Sequence, residues 1–173
     1  MGPEISAAFI GVGGTGLGAI LGALAAYPLG KRQGRDQVRY QQRADTAIEL
    51  RRRVLEIVDE LEVLNDAYES EEYGTRADRT ARSRSVYDRV VGLHTYFEQS
   101  EPWLERKTRE TVKPVIMKLW DFASPLRGDE RIDEVTSALF FATAMDSYQK
   151  GKRDLDDRVN ALSQEVARVV DTK

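Results

Sequence analysis

The sequence predicts an all-α protein: an N-terminal glycine-rich transmembrane helix followed by a cytoplasmic antiparallel helical bundle with long first and last helices. Three observations predict it. One long run is free of charge, basic residues crowd only one end of that run, and apolar residues recur at steps of three and four through the rest of the chain.

Between Glu4 and Lys31 the only ionisable side chain is Tyr27. As a helix, the stretch from Ile5 to Leu29 reaches roughly 37 Å, longer than the ~30 Å hydrocarbon core of a bilayer. Lys31, Arg32, Arg35, Arg39 and Arg43 follow it, while Glu4 is the one charged side chain before it. The bias in basic residues orients the N-terminus outside and the remainder in the cytoplasm. Tyr27 sits near the boundary, where amphipathic rings collect, and Pro28 and Gly30 allow a bend on leaving the membrane. The expected domains are a short extracytoplasmic N-terminus (1–4), the span (5–30), a basic juxtamembrane stalk (31–47) and the bundle (48–173).

Competing readings of this segment are weaker. A cleaved signal peptide has a basic leading region and a shorter apolar core. Met1-Gly2 with Ser6 fits the bare myristoylation pattern, but Pro3 spoils it. Gly11-Val12-Gly13-Gly14-Thr15-Gly16 fits G-x-G-x-x-G, with Asp36 at the distance of a ribose-binding acid. A dinucleotide fold needs further strands to build a parallel sheet, and the residues downstream have helical spacing instead. On a helical wheel the glycines explain themselves otherwise. Ala7, Gly11, Gly14, Gly18, Gly22 and Ala25 share one face, with Phe9, Ile10, Leu17, Ile20, Leu21 and Leu24 opposite. Such small-xxx-small steps let two helices approach closely in lipid. Gly11, Gly14, Gly18 and Gly22 are therefore the candidate helix-association residues, a glycine zipper that predicts a homo-oligomer. Lys31, Arg32, Arg35 and Arg39 are the candidate membrane-flanking basic residues, and lipid headgroups are their expected partner.

From Gln33 onward, through the stalk and into the bundle, Val38, Ile48, Val54, Leu55, Val58, Leu61, Leu64 and Tyr68 mark the first long helix, which the turn from Ser70 to Thr75 closes. A second helix is expected from Arg76 to Gln99 with Val86, Val90, Leu93 and Phe97 on one face. Ser100-Glu101-Pro102 reads as the opening of a third. That helix carries Trp103, Leu104, Val112, Val115, Ile116, Leu119, Trp120 and Phe122, with a kink at Pro114. Core packing is the expected role of Trp103 and Trp120. A loop over Ser124 to Asp129 leads to a last helix from Glu130 to Val170. Gly151 is expected to loosen it, and Leu155, Val159, Leu162, Val166 and Val169 form a short coiled-coil seam.

The end of the first helix is acidic (Glu56 to Glu72) and the start of the second basic (Arg76, Arg79, Arg82, Arg84, Arg89), which predicts charge pairing across a hairpin. Basic residues without stacking aromatics among them argue against nucleic acid as a partner, and so does the overall balance of 26 basic and 29 acidic residues, a net charge of −3. With no cysteine and one histidine, His94, thiolate chemistry and paired-imidazole metal sites are excluded for a single chain. No nucleophile elbow, P-loop or calcium loop occurs. The expectation is no enzyme, no catalytic residue, no cofactor and no metal. It is instead a membrane-anchored scaffold whose bundle holds an unknown cytoplasmic protein partner. The alternatives are a membrane-active oligomer, a pore or effector built from the glycine-rich helix, and a soluble helical protein whose first helix is buried in a partner.

Overall fold

The computed structural model describes residues 4–70, 76–127 and 134–171, with side chains described over 36–70, 77–127 and 134–171. Among them every regular element is helical: α1 (Glu4–Glu69), α2 (Arg76–Ser100), α3 (Arg106–Ala123) and α4 (Glu134–Asp171), with 3-10 turns at Glu101–Trp103 and Ser124–Arg127. The chain divides into two compact units, Met1–Gln41 and Gln42–Lys173. In the first, the described side chains from Asp36 to Gln41 are exposed except for half-buried Tyr40.

The second unit is a four-helix bundle. Its topology follows from which side chains meet. Arg51 Nε donates to Ser163 Oγ at 2.9 Å, Lys152 bridges to Glu62 at 3.0 Å, and Gln149 donates to Glu69 at 3.1 Å. Numbers rise along α1 as they fall along α4, so the two run antiparallel. Arg53 over the Tyr96 ring (4.4 Å) and Arg89 on Glu60 (2.9 Å) give the same sense to α1 and α2. Thr108 with Glu165 and Lys118 with Asp154 do so for α3 and α4. Sequential neighbours joined by short connections make this an up-down-up-down bundle.

The core lies where the apolar faces converge: Leu50, Val54, Ile57 and Leu61 from α1, Val86, Val90 and Leu93 from α2, Val112, Val115, Ile116 and Leu119 from α3, and Met145, Tyr148, Leu155 and Leu162 from α4. Ala44, Thr46 and Ala47 are buried too. The predicted seam on α4, from Leu155 to Val169, faces this core within its own chain. Val38 (64% exposed) and Ile48 (48%) lie off the buried face of α1, although their spacing put them on it.

Four local expectations need correction. Ser100 ends α2 instead of capping α3: its hydroxyl donates back to the Tyr96 carbonyl, and its oxygen accepts no capping hydrogen bond from the turn that follows. Pro102 sits in the 3-10 turn, and α3 starts at Arg106 after extended Glu105. Gly151 does not loosen α4. The helix runs through it, and a Cβ there would lie 2.7 Å from Phe122 Cζ and 2.9 Å from Lys118 Cε, so glycine is what lets α3 approach. Trp103 (42% exposed) and Trp120 (36%) are surface residues, because branched aliphatics and Phe122 already fill the α3 face of the core. Finally, Leu126 is buried within the Ser124–Arg127 turn, which was expected to be loop; Gly128 and Asp129 lie outside the described residues.

Candidate interaction surface

Two surface regions depart from what a bundle needs for its own stability. One is a groove of 420 Å³ between α1 and α2, lined by Asp59, Glu60, Val63, Leu64, Arg82, Ser85 and Val86. Its origin is a size mismatch. Over Ala77 to Ser85 the second helix offers alanines, serines and arginines and no large apolar side chain, so the α1 face opposite is left partly uncovered. Val63 is 55% exposed as a result. The floor is apolar, with carboxylates on the α1 rim and Arg82 on the α2 rim. Glu60 pairs with Arg89 through Oε1, while its Oε2 is buried without a hydrogen-bond partner. A partner with an apolar ridge and a cationic group reaching Asp59 and Glu60 would fit this chemistry.

The second region is an aromatic strip along α2 and α3. Trp120 lies 6.0 Å from the rings of both Tyr87 and His94, and Met117, one turn earlier on α3, is 51% exposed. His94 is half-exposed, with Nδ1 3.7 Å from Glu98.

At the end of the bundle where α3 begins, charge ties three helices together. Glu165, 4% exposed, accepts from Thr108 (3.0 Å), Lys107 (3.3 Å) and Arg168 (2.7 Å). Arg168 also reaches Glu105 at 2.8 Å, and Arg43 stands 3.7 Å from the same carboxylate. Hydrogen bonds, foremost from Arg168, hold the Glu165 carboxyl down to about 2 in spite of its burial. Every member is a structural partner of another, so the cluster reads as a clamp. At the opposite end, burial first and then the nearby carboxylates of Glu62 and Asp156 push the Tyr148 phenol well above its ordinary range; its hydroxyl has no hydrogen-bond partner.

The predicted site residues Gly11, Gly14, Gly18, Gly22, Lys31, Arg32 and Arg35 have side chains outside the described residues; Arg39 is described and exposed. Among the described residues no helix is long and apolar enough to cross a membrane, and no three His, Asp or Glu side chains are grouped to hold a metal ion. The hairpin charge pairing is present at Arg89, which bridges Glu60 and Glu56. Sequence reading missed the groove and the aromatic strip. The signal for the groove was the small-residue start of α2, and the strip shows only once helix faces are assigned. No protein-family model matches the chain, and comparison with curated proteins and with solved structures returns no match.

Proposed function

We propose that the chain is a single-pass membrane-anchored scaffold: its N-terminal helix spans the bilayer with the N-terminus outside, and its cytoplasmic bundle holds a protein partner. The observation that carries this reading is the charge-free run from Ile5 to Leu29, bordered by basic residues at its C-terminal side alone. The four-helix bundle supports it by offering a groove with an apolar floor and charged rims, the chemistry of an amphipathic helix partner. Association of the span through Gly11, Gly14, Gly18 and Gly22 would set the copy number, and Lys31, Arg32, Arg35 and Arg39 would contact anionic headgroups. No catalytic role enters this reading.

Carbonate extraction of membranes expressing the full chain, beside a chain starting at Lys31, tests it. The full chain should stay in the pellet and the shorter one should be released. Release of both would refute the anchor.

A further inference from the structure

We infer that the α1–α2 groove holds a partner helix bearing one basic and one acidic residue two turns apart, with a pair of aliphatic residues between them. The inference rests on the proposed reading that the bundle holds a protein partner, and it names that partner's chemistry. It starts from two charges that the fold leaves unspent. Among the described residues Asp59 and Arg82 make no ion pair, although both line the groove and lie exposed on opposite rims. Glu60 beside them is already committed, its Oε1 held by Arg89 at 2.9 Å.

The contacts between the two helices set the heights of these charges. Arg89 on Glu60 and Arg53 against Tyr96 put Val86 level with Leu61 to Val63, and Arg82 level with Asn65 to Ala67. Asp59 therefore stands about 9–12 Å below Arg82 along the bundle axis, at 1.5 Å per residue. Between the two heights lie buried Leu64 and Val86 and exposed Val63. The groove is thus a diagonal: an acid low on one rim, an aliphatic floor, and a base high on the other.

A helix matches that diagonal. Residues seven apart rise about 10.5 Å and share a face, with the residues three and four places on between them. An extended segment fits poorly, because both walls are helices whose backbone amides are spent internally. Its own N–H and C=O groups would lie unpaired over the floor, whereas a helix satisfies its own.

The chain has no cysteine, so one introduced thiol reports cleanly. The probe is an alanine-based helical peptide with a lysine, leucines three and four places on, a glutamate seven places on and a cysteine directly after it. Bound with its lysine at Asp59 and its glutamate at Arg82, it runs parallel to α1 and brings its thiol beside exposed Ala81. The full-length Ala81→Cys chain in phosphatidylcholine vesicles is equilibrated with this peptide in a thiol–disulfide buffer. The mixed-disulfide yield should be about fivefold above that of a second peptide with lysine and glutamate exchanged, which has to bind end for end and carries its thiol away. Adding Asp59→Lys and Arg82→Glu to the Ala81→Cys chain should invert the preference. Replacing both leucines with serine should remove the linkage. Equal yields from the two peptides, or a preference that does not invert, overturn the inference; with yields above the serine control, a groove that holds a helix still stands. Yields no higher than that control overturn the helix groove as well. A disulfide between two Val63→Cys chains, above the yield for exposed Asp157→Cys, makes a second copy the occupant and overturns the assignment. Flotation of the vesicles reads the anchor separately.

Discussion

At the scale of single residues, Gly151 and Glu165 define how tightly α3 and α4 are joined. Gly151 looked like a weak point in a long helix, because an isolated glycine lowers helix propensity. The fold uses it as a contact instead, with Phe122 edge-on to Tyr148 at 5.5 Å beside it. Gly151→Ala gains about 1 kcal/mol of helix propensity and forces a methyl into a space already filled, at about 1–3 kcal/mol. The expected net loss of about 1 kcal/mol is measurable by urea unfolding. Glu165 supplies a pH-dependent term. Its folded pKa of about 2 lies below the ordinary 4.5 of a free glutamate, so its stabilisation is complete above pH 5 and fades as the pH falls toward 2. That term is on the order of 3 kcal/mol. Glu165→Gln should therefore destabilise the bundle most at neutral pH, and the gap between the two unfolding curves should close in acid. Neither role was legible in the sequence. Periodicity marks Glu165 as a polar residue beside a buried stripe, but only the antiparallel register brings Thr108 and Lys107 onto it.

At the scale of elements, period and turn chemistry located the four helices, since the apolar steps on α2, α3 and α4 fall on the buried positions. What misled was competition for hydrogen bonds at boundaries. Ser100 has the composition of a helix start, but a serine can bond backward as easily as forward, and here it closes α2. Pro114 shows the limit of a strong rule. It lies inside α3, which continues to Ala123 because Val112, Val115, Ile116 and Leu119 anchor both sides of it in the core. Tertiary burial outweighs one missing backbone donor. Pro114→Ala returns that donor to the helix and relieves the ring clash, while freeing the unfolded chain costs about 0.4–1 kcal/mol. The expected outcome is a net gain of about 1–2 kcal/mol, read as a higher melting temperature. An unchanged or lower value would mean that α3 is shaped around its proline. The α1–α2 groove belongs to this scale too. It arises where a helix of small residues meets one of large residues, a mismatch visible only after the two are known to be neighbours.

At the scale of the whole molecule, the glycine-rich face of the span is the surface proposed to bring copies together, because small residues at every fourth position let two helices approach closely in lipid. Replacing Gly14, Gly18 and Gly22 together with Leu raises the hydrophobicity of the span while closing its small-residue face. Membrane insertion should persist, and chemical cross-linking between copies in the membrane should fall several-fold. If cross-linking is unchanged, the glycines serve another purpose. If both insertion and cross-linking are lost, the substitution has acted on folding or targeting. The measurement then has to be repeated with Gly14, Gly18 and Gly22 changed to Ala, which keeps the face small and should preserve both.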